Sequence, residues 1–134
     1  MENENEAIVR AGIDAWNEDD WEFIEEQWVE EPSITAPEGW PEAGDFHGRD
    51  AVIGQFERLK AAWSDERIEV TAIESAGDRV LVAARWLGHG ESSGLELDMR
   101  VWNVYTLVEG KIRHISFNLD EASARAQLEA HRSD

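Results

Sequence analysis

Three runs in the second half of the chain alternate between apolar and polar residues, and this alternation predicts β-strands. The runs are Val80–Leu87, Leu95–Leu107 and Lys111–Leu119. Successive side chains of a strand point to opposite faces, so each run should present one apolar face. The odd-numbered positions form a largely apolar set in all three runs, and we expect them to face inward.

Polar side chains interrupt this odd-numbered face at Arg85, Asn103 and Tyr105. A polar group on an inward face must be paired within the protein or must meet a ligand. A curved sheet with such an inner face is typical of a small-molecule pocket. His89 falls on the same face at the pocket rim, where it is the best candidate for a group that moves a proton.

Helical spacing of apolar residues dominates the first half of the chain. It predicts helices around Val9–Trp16, Trp21–Trp28 and Val52–Trp63. An aspartate at position 19 or 20 can cap the second helix, and Pro32 should end it. Trp16, Trp28 and Trp63 lie on the helical stripes and should be core residues, and Trp16 is also a candidate for the ligand pocket.

A short strand, Ser33–Ala36, is expected next, followed by the loop Pro37–His47. Trp40 and Phe46 make this segment too aromatic for an idle connection, so they are candidates for ligand contacts in a lid. The rest of the chain should comprise a strand, a loose hairpin and a final short helix, at Ile68–Glu74, Gly88–Gly94 and Glu121–His131. Asp120 can cap the final helix.

The predicted order is helix, helix, short strand, helix and then four antiparallel strands, which indicates an α+β fold with the sheet curled around its helices. No repeat or linker interrupts this order. We therefore expect one domain over residues 1–134, with about the first five residues disordered.

Three local sequences carry a family resemblance: Phe46–Val52 (Phe-His-Gly-Arg-Asp-Ala-Val), Ser93-Gly94 and Val104–Ile112 (Val-Tyr-Thr-Leu-Val-Glu-Gly-Lys-Ile). With the element order, they resemble the nuclear transport factor 2-like superfamily, and most of all its SnoaL-like group, over roughly residues 5 to 130. The resemblance implies a cystatin-like cone, in which N-terminal helices pack in a strongly curved, mostly antiparallel sheet around an apolar pocket. The superfamily includes polyketide cyclases, ketosteroid isomerase and non-catalytic binders, so the fold alone assigns no activity.

This chain lacks the catalytic residues that two reactions of the superfamily require. Limonene-epoxide hydrolases pair an arginine, matched by Arg85, with carboxylates at positions that Leu87 and Phe117 occupy. The positions of the ketosteroid isomerase tyrosine and acids are held by Gly12, Ala36 and Asn103. Because these reactions need carboxylates as general bases, we expect neither activity.

Two functions remain. The first is a small-molecule-binding pocket protein that lacks the usual catalytic carboxylates. The second is a SnoaL-like cyclase, isomerase or hydratase that acts on a small apolar carbonyl compound. Asn103 and Tyr105 would then polarise the oxygen and His89 would move the proton, while Arg85 either clamps the ligand or pairs with an acid such as Asp14 or Glu57.

The even-numbered positions of the long strands are also apolar, which implies a second buried surface. They are Val80, Val82, Ala84, Trp86, Trp102 and Val104. We expect a homodimer through this outer face, with Trp86, Trp102 and Val104 at its centre, as the resemblance also implies.

The amino-acid composition argues against several classes of binding partner. A formal charge of −18 disfavours nucleic acid and anionic membranes. The chain has no cysteine and no apolar run of about 18 residues, so we expect no disulfide, no thiolate-bound metal and no membrane span. Asp45 and His47 lack a third ligand nearby, so we expect no metal or cofactor. The acidic start has no signal-peptide pattern, and a cytoplasmic location is the prediction.

Overall fold

The computed structural model describes residues 3–40, 43–90 and 95–130, which form four helices and six strands. In chain order they are α1 (Glu4–Asn17), α2 (Trp21–Glu26), β1 (Trp28–Ala36), β2 (Gly44–His47), α3 (Arg49–Ala61), β3 (Trp63–Ala76), β4 (Arg79–Gly90), β5 (Glu96–Val108), β6 (Lys111–Ser116) and α4 (Glu121–Ala130). The expected α+β class is confirmed.

The six strands form one sheet in the order β2-β1-β6-β5-β4-β3. Neighbouring strands are antiparallel, except that β1 and β6 are parallel. Helix α3 contacts β1 and β2 at one edge and β3 at the other. One helix can reach both edges only if the sheet curls around it, which is the geometry of the cone.

The inner face of β4 differs from the prediction. Val82 lies opposite Asn103, and Trp86 lies opposite Met99. Directly opposed residues of an antiparallel pair share a face, so even-numbered residues of β4 line up with odd-numbered residues of β5. The odd face of β5 is the inner one, as expected, but the inner face of β4 is the even one that holds Trp86.

Helix α4 covers part of the outer sheet face. Leu81 and Val104 are buried there against Ala124 and Leu128, and Trp102 packs beside them partly exposed. The second apolar surface that the sequence indicates therefore belongs in part to this helix. Trp86, expected at the centre of the outer face, lies inside the cone because of the register between β4 and β5.

Several element boundaries also differ from the predictions. Trp28 and Trp63 begin strands and do not end helices, and β2 lies within the expected loop. Pro32 lies inside β1, where pairing with β6 is interrupted, so its missing N–H disturbs no ladder bond. Asn3 caps α1, so the expected disorder does not extend over residues 3–5.

Two helix caps follow the expectation. Asp20 accepts a hydrogen bond from the Phe23 backbone N–H at 3.2 Å at the start of α2, and Asp120 accepts one from Ser123 at 2.8 Å at the start of α4.

The tip of the predicted Gly88–Gly94 hairpin, which includes Ser93-Gly94, and His131 lie outside the described residues. Within the described ranges, every helix is too short or too polar to cross a membrane.

Candidate functional site: the cavity of the cone

The first three helices and the inner sheet face surround a cavity of about 70 Å³. Its wall is mostly apolar, with side chains such as Val9, Ile13 and Ile115. The polar residues on the wall, apart from tryptophan, are Gln27, Asn103 and Tyr105. Among the described residues, no carboxylate, imidazole, lysine or arginine lines the cavity, so its polar groups are neutral.

Tyr105 and Asn103 lie two residues apart on the inner face of β5, about 7 Å from each other along the strand. Burial raises the pKa of the Tyr105 hydroxyl above its ordinary value of 10.0, which keeps the phenol protonated. Asn103 Oδ1 accepts a bond from the Asn118 N–H at 3.4 Å, which leaves the amide nitrogen as a second donor at the wall.

Gln27 is a polar wall residue that the sequence patterns do not single out. Its Nε2 donates to the Ile8 carbonyl at 2.9 Å. A Cβ placed at Gly12 would lie 2.4 Å from Gln27 Oε1, so a larger residue there would push the amide away. Gly12, which takes the place of a catalytic tyrosine in the resemblance, therefore makes room for a neutral amide.

Glu66 is a buried carboxylate bonded to two residues of the cavity wall, and its side chain is only 3% exposed. Its Oε1 accepts hydrogen bonds from the indole N–H groups of Trp16 and Trp86, both at 2.6 Å. Its Oε2 lies 3.1 Å from Lys60 Nζ, which also pairs with Asp19 at 2.8 Å. The Glu66 carboxylate therefore uses Oε1 to fix the orientation of both indoles.

A bulge in β3 gives Glu66 this position. The pairing with β4 shifts between Ser64 and Arg67, and Asp65 has a positive φ of 54°. A Cβ at Gly88 would lie 3.3 Å from the Glu66 Cα, so glycine allows the bulge to approach β4. In the sequence, the charged run Ser64–Arg67 looks like a solvated turn, although Glu66 shares the parity of Ile68 and Val70.

Some of the residues that the sequence predicts for the site line the cavity, and others do not. Trp16, Trp40, Asn103 and Tyr105 lie on its wall. Phe46 lies outside it on β2, packed against the core and 6.0 Å below the Arg58 guanidinium.

Arg85 and His89 lie on the outer face of β4, contrary to the expectation. The Arg85 side chain is 46% exposed and pairs with Asp98 of β5, with 2.8 Å between Nη2 and Oδ2. The His89 side chain is 52% exposed and lies 3.8 Å from Glu96. The cause is again the strand register, so Arg85 is neither a ligand clamp nor a partner for Asp14 or Glu57.

A polar groove of about 250 Å³ lies on the outer sheet face between β1, β6 and α4. His114 lines it and hydrogen-bonds through Nδ1 to Ser33 Oγ at 2.7 Å. Burial lowers the pKa of His114, and the charge of Arg113 lowers it further. No carboxylate of the described residues hydrogen-bonds to His114, as a triad would require. The described residues contain no group of three His, Cys, Asp or Glu that could hold a metal.

A comparison of the sequence with family models agrees with this fold. The family model described as the SnoaL-like domain matches residues 9–115. The chain belongs to the SnoaL-like family. A search of curated proteins finds no match to this SnoaL-like chain.

Solved structures share the fold of this SnoaL-like protein. An NTF2-like protein from Burkholderia thailandensis is 24% identical with a TM-score of 0.79, covering 100% of this chain and 99% of that chain. TerC, co-crystallised with polyporic acid, is 18% identical with a TM-score of 0.77, covering 94% and 98%. SalBIII, an epoxide hydrolase/cyclase-like enzyme in pyran ring formation in salinomycin, is 24% identical with a TM-score of 0.75, covering 88% and 92%. At these identities the likeness concerns the fold.

Replacing Glu66 with leucine should destabilise the protein by about 3 kcal/mol, because two buried indole donors and Lys60 lose their acceptor. Glu69→Leu is the matched control. The Glu69 side chain is 49% exposed and pairs with exposed Arg67 in the same strand, so its loss should change stability by less than about 1 kcal/mol. Urea unfolding followed by circular dichroism measures both, and equal midpoints for the two variants would contradict the role given to Glu66.

Tyr105 is the only tyrosine in the chain, so its ionisation can be followed by phenolate absorbance. Its folded pKa is raised, and the unfolded chain therefore binds fewer protons above pH 10. Stability should fall as the pH rises above 10, by up to about 1.4 kcal/mol per pH unit from this group. Tyr105→Phe should lack that component of the alkaline loss. Phenolate absorbance near pH 10 in the still-folded protein would contradict this prediction.

Proposed function

We propose that this protein binds a small, mostly apolar molecule with a carbonyl or hydroxyl oxygen in the cone cavity and does not catalyse acid–base chemistry on it. The observation that carries the proposal is the cavity wall, which combines apolar side chains with a neutral phenol and two amides. The walls would desolvate the ligand, and Tyr105 and Asn103 would hydrogen-bond to its oxygen. Among the described wall residues Tyr105 alone is titratable, and it stays protonated at neutral pH and supplies no base.

The second candidate is a SnoaL-like cyclase, isomerase or hydratase for an apolar carbonyl compound. The Tyr105 hydroxyl and the Asn103 amide favour it, because two donors near one oxygen would stabilise an enolate. The name of the structural neighbour SalBIII, an epoxide hydrolase/cyclase-like enzyme, points in the same direction. Against it stands the described part of the wall, which offers no group to take the proton. His89, the base expected from the sequence, lies on the other sheet face.

Acetophenone and ethylbenzene form a matched pair of probes, since they differ in a carbonyl. Tyr105→Phe should weaken acetophenone binding about 2- to 10-fold, the value of one neutral hydrogen bond, and leave ethylbenzene binding unchanged. Calorimetric titration of both probes on both proteins measures this. An equal effect on the two probes would contradict hydrogen bonding by Tyr105.

The same probe separates binding from catalysis. If the protein only binds, the methyl protons of acetophenone should exchange with deuterated water no faster than in buffer, as measured by NMR. Exchange that depends on the protein and is lost in Tyr105→Phe would establish the second candidate in place of the first.

The homodimer remains a prediction, now for a smaller surface. Trp86 cannot contribute, and Val104 is covered by α4, which leaves Trp102 as the large apolar side chain of the outer face of β5. We infer that a second copy covers Trp102 around a two-fold axis.

Trp102→Glu should then produce monomers, because a two-fold contact would bury two unpaired charges. Leu95→Glu is the control, since Leu95 is already 67% exposed and should leave the assembly unchanged. Sedimentation velocity at micromolar concentration measures both. A monomeric wild-type protein would contradict the dimer.

A further inference from the structure

Trp40 lies as a flat ring between two other flat rings. Its ring centroid is 4.7 Å from that of Phe117 with an interplanar angle of 9°, and 5.3 Å from that of Trp86 with an angle of 15°. The three rings form a stack at the cavity wall, and Trp40 is only 6% exposed. The space between Trp86 and Phe117 is therefore a slot shaped for a planar aromatic ring.

The indole of Trp40 is held in this slot by ring contacts and not by hydrogen bonds. Its Nε1 is buried without a partner, whereas Glu66 satisfies the indoles of Trp16 and Trp86. Burying an unpaired donor is unfavourable. Leaving the slot would return the Trp40 N–H to water, which partly offsets the lost stacking.

The backbone of Trp40 differs from that of its two ring neighbours in its bonds to the sheet. Trp40 lies outside any helix or strand, and its N–H closes a turn on the Pro37 carbonyl at 3.0 Å. Phe117 also follows a strand, but its N–H is bonded to the Thr35 carbonyl at 2.9 Å. Trp86 lies within β4. Of the three stacked rings, Trp40 can therefore leave with the smallest disturbance of the sheet.

The size of the cavity requires such a movement. At about 70 Å³ it is about half the size of the roughly 150 Å³ apolar cavity that takes up benzene. An aromatic ligand can enter only if a wall group makes room.

We propose that the Trp40 indole occupies the position of a planar aromatic ligand, and that the ligand's ring replaces it between Trp86 and Phe117. This rests on the proposed function and adds two features to it: the ligand class, a flat aromatic ring, and an internal competitor for the site. Such competition lowers the apparent affinity by the fraction of molecules in which the slot is open. Trp40 thereby sets the ligand concentration at which the site fills.

The test uses 2-naphthol and its saturated analogue decahydro-2-naphthol, which shares the skeleton and hydroxyl but is not flat. Trp40→Ala leaves the slot open and should bind 2-naphthol about 10- to 1000-fold more tightly than wild type, because minor states are commonly populated at about 0.1–10%. Decahydro-2-naphthol should gain much less. Trp63→Ala is the control, since Trp63 also has a buried, unpartnered Nε1 but does not line the cavity. It should leave both affinities unchanged.

The movement of Trp40 is measured in the wild-type chain, so the test does not depend on the folding of a variant. The chain has seven tryptophans, and in 5-fluorotryptophan-labelled protein the Trp40 ¹⁹F resonance is assigned by its absence from Trp40→Phe. Saturating 2-naphthol should change the ¹⁹F chemical shift of Trp40 to the value of a solvent-exposed 5-fluorotryptophan.

Each other outcome overturns a defined part of the proposal. If 2-naphthol binds while the Trp40 resonance stays in place, the ligand uses the cone without exchange, so this inference fails and the proposed function stands. Weaker binding to folded Trp40→Ala would make Trp40 a ligand contact, which also overturns the exchange. If neither the wild type nor a folded Trp40→Ala binds either naphthol, while acetophenone still binds the wild type, the aromatic slot is wrong. If acetophenone fails as well, the proposed function fails with it.

Discussion

The rest of this structure depends on the hydrogen bonds and the ion pair of one buried carboxylate, that of Glu66. It joins β3 to the indole of Trp16 on α1 and to that of Trp86 on β4, with both bonds at 2.6 Å, and to Lys60 of α3. A buried carboxylate is tolerated only when its oxygens are paired. Here each pairing also orients a group of the cavity wall, so one charge sets the positions of two large rings.

The orientation of Trp86 has further consequences for the site. Because Glu66 holds its indole N–H, the Trp86 ring presents a fixed flat surface, against which Trp40 stacks at 5.3 Å. The stack fills space that a ligand would need and leaves a cavity of about 70 Å³. The slot therefore has a wall supported by a buried charge, Trp86, and an occupant, Trp40, whose indole is held by ring contacts and not by hydrogen bonds.

The polar chemistry of the cavity points towards recognition of a neutral ligand. Tyr105, Asn103 and Gln27 can donate or accept hydrogen bonds, but none carries a charge at neutral pH. Arg85 and His89, the charged and titratable groups that the sequence predicts for the site, lie on the opposite face of β4. The net charge of −18 is thus borne by other parts of the molecule, and the cavity of this acidic protein is neutral.

The sequence by itself determined the fold class, most strand positions, the cap at Asp120 and the placement of Asn103 and Tyr105 on the inner wall, because alternation and helical spacing are local properties. For the second helix it left the cap open between Asp19 and Asp20, and the structure shows Asp20. It could not determine which face of β4 is inner, since Leu81 and Val82 are both apolar and buried. Only the register with β5 decided that Trp86 faces in and Arg85 faces out. The tertiary structure also decided the role of Glu66, because a bulge and two partners distant in sequence, Trp16 and Trp86, turn a residue of a charged run into a buried hydrogen-bond acceptor.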